Sequence, residues 1–366
     1  MSKVWVLGHG QLGAMLQHAA MPLSINVIPV DIESDQLPDL NADDIVTAER
    51  EQWPDTPVTE KLSKHPNFVN LDVFGRLADR LTQKQLLDEL GLATSPWQAV
   101  DDTLTADQVY AQMGGRALMK RRTGGYDGRG QFWLKQAEDT QIPDDWRNLA
   151  IVEQGINFDE EMAIVGVRDR SGNKFFYPLT LTLQLNGVLT ASVAPLPRLA
   201  GLQSKAEAML AKLLDGLDYV GVMAMECFRV GDELIVNELA PRVHNTAHWT
   251  QAGASVSQFE SHIRAVAGVP LAKPQVKGLN VMINLLGTPR DERWWAISGA
   301  EPYWYGKEVR EGRKVGHITF THSGDEGLIQ GLDELKALLP ERYEEVIDWV
   351  EAAVEGISPQ RQREAL

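Results

Sequence analysis

Residues Asp218–Thr250 read DYVGVMAMECFRVGDELIVNELAPRVHNTAHWT. Val220–Val230 is rich in β-branched and apolar side chains, Gly231-Asp232-Glu233 is turn chemistry, and Leu234–Leu239 resumes a strand, which predicts a β-hairpin. A turn centred on Asp232 pairs Val230 with Leu234, Phe228 with Val236 and Glu226 with Glu238. Because side chains alternate faces along a strand, both glutamates then share one face, directly opposite each other. Two carboxylates with Cβ atoms roughly 5 Å apart repel. Either one holds a proton at a raised pKa, or a divalent cation sits between them. Magnesium, which accepts a few carboxylates and leaves positions for phosphate oxygens, suits such a pair. A bulge at the turn would break the register, and the plainer alternative puts each glutamate on a solvated sheet face. Asn237, Arg242, His244, Asn245 and His248 follow within a dozen residues. That crowding favours a site.

The chain of 366 residues is long enough for two or three domains with sizeable cores. Its 43% hydrophobic and 23% charged residues are those of a soluble globular protein. A formal net charge of -16 argues against a nucleic-acid or anionic-membrane partner. Cys227, the only cysteine, excludes an internal disulfide and a thiolate metal cluster. No apolar run reaches the roughly 18 residues of a membrane span, and the amino terminus lacks a signal-peptide pattern, so a cytoplasmic location is expected.

Lys3–Leu7 reads as a buried strand, followed by Gly8-His9-Gly10-Gln11-Leu12-Gly13, an apolar-periodic helix and a second strand, Asn26–Val30, ending at Asp31. This is the G-x-G-x-x-G pattern with an acid about 20 residues on, as in dinucleotide-binding folds. Alone it supports a rival reading, a nicotinamide-dependent oxidoreductase. Physically it says only that a helix amino terminus with bare N–H groups favours an anion. A helix is expected over Arg76–Leu90, with Arg80 and Lys84 on one side. Further on, Lys120 stands as the outward charge of a strand and is followed by four glycines within residues 124–130. Such a loop can wrap phosphates with backbone N–H groups, although it is no Walker loop, since the lysine precedes the glycines. Ile151–Ile156 is expected to be a strand entering an irregular segment, before Glu160, Glu161 and another strand.

Lys120, GGYDGRG, VEQGINF, GVMAMECF and NELAPRVHN together resemble the ATP-grasp superfamily. Within it, RLTQKQ, KRRTGGYDGRGQ, NELAPRVHNTAHWTQ and GRKVGH are similar to the 5-(carboxyamino)imidazole ribonucleotide synthases, the ATPase subunits of phosphoribosylaminoimidazole carboxylase. The similarity runs from GHGQLG to GRKVGH with the motifs in order. It implies an α/β and α+β chain. A Rossmann-like, biotin-carboxylase-like domain would span 1–95, an ATP-grasp small subdomain 96–178, and the large subdomain with a β-rich carboxy-terminal region 179–366.

The resemblance also implies roles. Arg80 and Lys120 would hold ATP phosphates, and Gly125, Tyr126, Asp127, Gly128, Arg129, Gly130 and Gln131 would form the lid. Glu153, Gln154, Gly155 and Ile156 would receive adenine and Glu161 the ribose, with Gln184 and Asn237 also at the nucleotide. Glu226 and Glu238 would carry magnesium or manganese. Arg242, His244 and Lys307 would surround the chemistry. Gly10, Gln11, Leu12, Tyr126, Asp127, Asn245, Arg313 and Lys314 would contact aminoimidazole ribonucleotide. The implied reaction consumes ATP and bicarbonate through carboxyphosphate in purine biosynthesis. A homodimer, and a hand-off to a downstream mutase, are further implications.

Four residues depart from the family pattern: His9 and Ala14 in the first glycine loop, Gln184 where a histidine is usual, and Ala247 for a glycine. Another purine-pathway ATP-grasp ligase and a degenerate, non-enzymatic homologue stay open as alternatives. The basic cluster around Lys307, Arg310, Arg313 and Lys314 suits a substrate phosphate. His248 is expected to be structural, and Trp294, Trp295, Trp304 and Trp349 to be core or interface aromatics. A helical tail is expected after Gly324.

Overall fold

The computed structural model describes residues 2–125, 129–135 and 141–357. The chain begins with β1 (Val4–Leu7), α1 (Gln11–Ala20), β2 (Val27–Val30) and β3 (Ile45–Ala48), whose strands form a parallel sheet in the order β2-β1-β3. β1 is buried throughout, as its unbroken apolar run VWVL requires of a parallel strand covered on both faces. After α2 (Pro57–Ser63) the expected single helix is two, α3 (Leu71–Ala78) and α4 (Arg80–Glu89). Asp79 breaks them. Its backbone is extended, its carboxylate accepts from Leu81 N at 2.9 Å to cap α4, and it pairs with Arg122.

A four-stranded antiparallel sheet follows, from β4 (Trp97–Ala99), β5 (Arg116–Arg121), β6 (Gln131–Lys135) and β7 (Ala150–Gln154), in the order β4-β7-β5-β6. Val100, Val109, Met113, Ala117, Met119 and Leu134 close one face against α5 (Ala106–Met113). Lys120 therefore points the other way. The charge expected to face outward from this strand is only 7% exposed, because it meets Glu153 from the neighbouring strand.

The third sheet has nine strands. It is built from β8 (Glu160–Arg168), β9 (Lys174–Phe176), β10 (Thr180–Leu185), β11 (Val188–Ala194), β12 (Gly221–Val230), β13 (Glu233–Ala240), β14 (Leu279–Leu286), β15 (Ala300–Trp304) and β16 (Lys314–His322). Its order is β13-β12-β8-β10-β11-β14-β16-β15, with β9 paired to β8, so it draws strands from both sides of residue 178. One face packs on α6 (Ala200–Gly216), α9 (Asp325–Lys336) and α10 (Glu344–Val354), the last two replacing the single expected tail. The other face packs on α1 and on α8 (Gln258–Ala267), which follows the short α7 (Thr250–Gly253), at one end. Its remaining length looks toward the four-stranded sheet. The two are stitched near β13, where Val236 N donates to Ala93 O at 2.8 Å and Thr94 Oγ1 to Val236 O at 2.8 Å. Among the described residues no helix is long and apolar enough to cross a membrane.

Candidate active site

The β12–β13 hairpin places Glu226 opposite Glu238, as the pairing argument required, but by another route. The turn holds two residues, not three, so Val230 pairs with Glu233 and Phe228 with Ile235 instead of Leu234 and Val236. A bulge at Asn237 then takes up one residue and restores the glutamate pair. Burial and the facing carboxylates of Glu238 and Glu161 push the Glu226 carboxyl up to about 8. Gln184 Nε2 donates to Glu226 Oε2 at 3.4 Å, so this departure from the family pattern touches the carboxylate pair itself.

On the Glu238 side stands Arg80, with Nη1 3.4 Å from Glu238 Oε2 and Nη2 donating to Gly125 O at 3.3 Å. The first residue of α4 thus reaches the start of the glycine loop. Tyr126, Asp127 and Gly128 lie outside the described residues. The loop returns through Gly130, whose carbonyl accepts from Arg121 N at 2.8 Å, into Gln131 on β6.

Behind this lies a buried charge cluster. Lys120 Nζ donates to Glu153 Oε2 at 3.0 Å and to Asn237 Oδ1 at 3.2 Å, so the bulged residue of the large sheet clasps the small one. Lys84 Nζ is 3.4 Å from the other Glu153 oxygen and donates to Thr94 Oγ1 at 2.5 Å. Burial, opposed by Glu153, pulls Lys84 down to about 8. Glu153 is thus held between two lysines, and the adjoining Gln154 and Gly155 N–H groups bond to Pro96 O and Arg116 O. Lys84 was expected as a helix-side charge and proves only 2% exposed. Its spacing of one helical turn from Arg80 was the available signal.

At the far end of the pair, His244 Nδ1 is 3.8 Å from Glu226 Oε1 and 3.0 Å from Thr246 Oγ1. Burial, and then the charges of Arg242 and Lys314, hold its imidazole well below the ordinary histidine range, so it is neutral. Arg242 Nε lies 2.7 Å from Glu51 Oε1, an ion pair without hydrogen-bond alignment. Asn245 exchanges amide hydrogen bonds with Asn284 at 3.1 and 2.5 Å. Lys307 Nζ donates to Gln11 Oε1, which brings the carboxy-terminal basic segment onto the first glycine loop. Arg313 is exposed and donates to Glu308 O at 3.4 Å.

That loop carries a finding of its own. Glu49 Oε1 accepts from Gly10 N at 2.6 Å and Glu49 Oε2 from Gly13 N at 2.5 Å. The anion seat of the G-x-G-x-x-G motif is filled by the protein's own carboxylate, and Asp31 pairs with His9 at 3.6 Å. Glu49 and Glu51 escaped the sequence reading.

Glu226 and Glu238, facing each other on neighbouring strands, are a donor set that a hard cation with phosphate ligands would complete, displacing the proton that burial and repulsion favour on Glu226. Among the described residues no group of three or more His, Cys, Asp or Glu forms a closed metal cage.

Residues 85–259 match the model of the ATP-grasp domain, and residues 280–330 that of the phosphoribosylaminoimidazole carboxylase C-terminal domain. The chain is 50% identical over 348 residues to the N5-carboxyaminoimidazole ribonucleotide synthase of Haemophilus influenzae, covering 94% of this chain and 96% of that one. It belongs to the N5-carboxyaminoimidazole ribonucleotide synthase family. The synthase of Escherichia coli is 48% identical over 352 residues, covering 96% and 99% of the two chains. The crystal structure of the Thermus thermophilus synthetase superposes with a TM-score of 0.81 at 35% identity, covering 92% of this chain and 99% of that one. An ADP complex of another such synthetase gives 0.78 at 28% identity, covering 91% and 96%. As a member of this synthase family, the chain is an ATP-grasp enzyme, an ATP-dependent ligase, and the oxidoreductase reading of the first loop is set aside.

Proposed function

We propose that this chain carboxylates 5-aminoimidazole ribonucleotide with ATP and bicarbonate to give N5-carboxyaminoimidazole ribonucleotide, ADP and phosphate. The observation that carries the proposal is the row of groups along one cleft: Arg80 and Lys120, then Glu238 and Glu226, then neutral His244 at 3.8 Å from Glu226. In this reading residues 1–95 supply the ribonucleotide's side of the cleft, 96–178 the lid, and 179–366 the carboxylates and the catalytic loop.

Arg80 and Lys120 neutralise the ATP phosphates, while the 125–131 loop covers them and the 153–156 segment and Glu161 hold adenine and ribose. Magnesium on Glu226 and Glu238 would neutralise charge on the transferring phosphate. Arg242 and Lys307 orient bicarbonate, whose oxygen attacks the γ-phosphorus as the bond to ADP breaks. The carboxyphosphate C–O bond then breaks to CO2 and phosphate. The amine nitrogen of the ribonucleotide, held beside Gln11, Asn245 and Lys314, attacks the CO2 carbon. His244, neutral before the step, carries the amine proton to phosphate. Water exclusion protects the intermediate. A cytoplasmic homodimer that passes its product to a mutase completes the proposal.

The test is ADP release with ATP, magnesium and bicarbonate, with and without the ribonucleotide, in the native chain and Glu238→Ala. Ribonucleotide-stimulated release that the variant loses supports the proposal. Release indifferent to the ribonucleotide points to another acceptor, and no release from folded native protein points to a degenerate homologue.

A further inference from the structure

Beneath the loop that presents His244 runs a buried chain of side chains that the chemistry above does not use. Gln258, the first residue of α8, is 0% exposed. Its Oε1 accepts from His244 N at 2.8 Å and its Nε2 donates to His244 O at 2.7 Å. One side-chain amide thus makes with His244 the two bonds that a neighbouring strand would make. The backbone donor and acceptor also settle which way round this amide lies. Its second Nε2 hydrogen points to His248 Nδ1 at 3.2 Å, so His248 carries its own hydrogen on Nε2.

The chain continues toward the other catalytic segment. The His248 ring lies 4.8 Å from that of His317. His317 sits between Gln251 Oε1, 2.9 Å from Nε2, and the Tyr305 hydroxyl, 2.6 Å from Nδ1. Gln251 Oε1 can only accept, so His317 donates there and accepts from Tyr305. Burial holds both imidazoles neutral, with His317 down to about 3. Tyr305 lies two residues before Lys307, whose Nζ stands 5.7 Å above its ring. Residues 241–244 lie outside helix and strand, so without Gln258 the His244 peptide groups would turn elsewhere for partners and carry the imidazole with them.

We propose that Gln258 is a positioning residue for the reaction: it holds His244 against Glu226 and, through His248, His317 and Tyr305, in register with Lys307. The inference rests on the role of His244 proposed above.

The test is a double-mutant cycle in the full chain, with His244→Ala, Gln258→Met and the pair, read as ribonucleotide-dependent ADP release alongside thermal melting. Gln258→Met is expected to lower kcat about 100-fold while KM for ATP moves less than about 2-fold. In the His244→Ala background the same change should cost less than about 2-fold, because the imidazole that it positions is gone. An equal loss in both backgrounds, or no loss of kcat in the single variant, overturns the proposal. Native turnover in His244→Ala alone overturns the role of His244, and the proposal with it. Should Gln258→Met not fold, Gln258→Glu, which keeps the acceptor and loses the donors, enters the same cycle with an expected loss of about 10-fold. The same two outcomes then decide.

Discussion

Glu226 stands directly opposite Glu238 because Asn237 bulges out of the ladder between them. The bulge does two things at once. It corrects the register left by a two-residue turn, and it frees the Asn237 amide to bond Lys120 across the cleft. Glu226→Gln keeps the shape of the pair and removes the carboxylate that would ligate the metal. Turnover should fall by about 10²–10³-fold, the range for losing one preorganised electrostatic contact at the reacting phosphate. The rise in melting temperature given by ADP with magnesium should shrink, while ADP without the metal should behave as in the native chain.

The Lys84–Glu153–Lys120 cluster carries two positive charges on one carboxylate. Charge counting gives an order of damage. Lys84→Met leaves a neutral Lys120–Glu153 pair, whereas Glu153→Gln leaves two buried ammonium groups facing each other. The second should cost about 3–5 kcal/mol and the first distinctly less. Urea unfolding of the two variants checks the order, and a Lys84→Met loss equal to that of Glu153→Gln would refute it.

Gly155 lies two residues after the buried glutamate, just past the end of β7. A Cβ there would lie 2.9 Å from Trp133 Cζ3 and 3.4 Å from Arg116 O, with Arg116 stacked on the same indole. Gly155→Ala must push the indole aside, costing about 1–3 kcal/mol in melting or urea experiments. ATP affinity should weaken as well, since the same backbone is proposed to receive adenine.

Much of this was legible because the signals were local. Alternation along Val220–Leu239 gave the hairpin, and glycine spacing located both loops. Several misreadings share one cause, a partner distant in sequence. Lys120 read as outward since nothing nearby announced Glu153, 33 residues on. Arg76–Leu90 read as one helix although the Asp79 cap on Leu81 N is a local signal. Glu49 and Glu51 showed no pattern at all. Their meaning comes from Gly10, Gly13 and Arg242, which only the fold brings to them. Gln258 was equally silent, as a polar residue opening an amphipathic helix.

His262 gives a pH test away from the cleft. Its Nδ1 accepts from Val222 N at 3.1 Å and its Nε2 meets Thr47 Oγ1 at 3.0 Å, tying α8 to both the first and the large sheet. Burial pushes it down to about 4. The unfolded chain therefore binds this proton more readily than the folded one. The contribution is complete above the unfolded pKa near 6.5 and is lost as pH falls toward 4, on the order of 3 kcal/mol in all. His262→Gln should melt with a flatter pH dependence between about 4.5 and 7.

The carboxylate of Glu49 in the first glycine loop has a practical consequence for purification and ligand screening. With its own anion bonded to the N–H groups of Gly10 and Gly13, that loop offers no vacancy to the pyrophosphate of a dinucleotide. Resins and dyes that capture proteins through such loops should hold this chain only by its other, ATP-binding cleft. Free ATP should then release all of it, and NAD none.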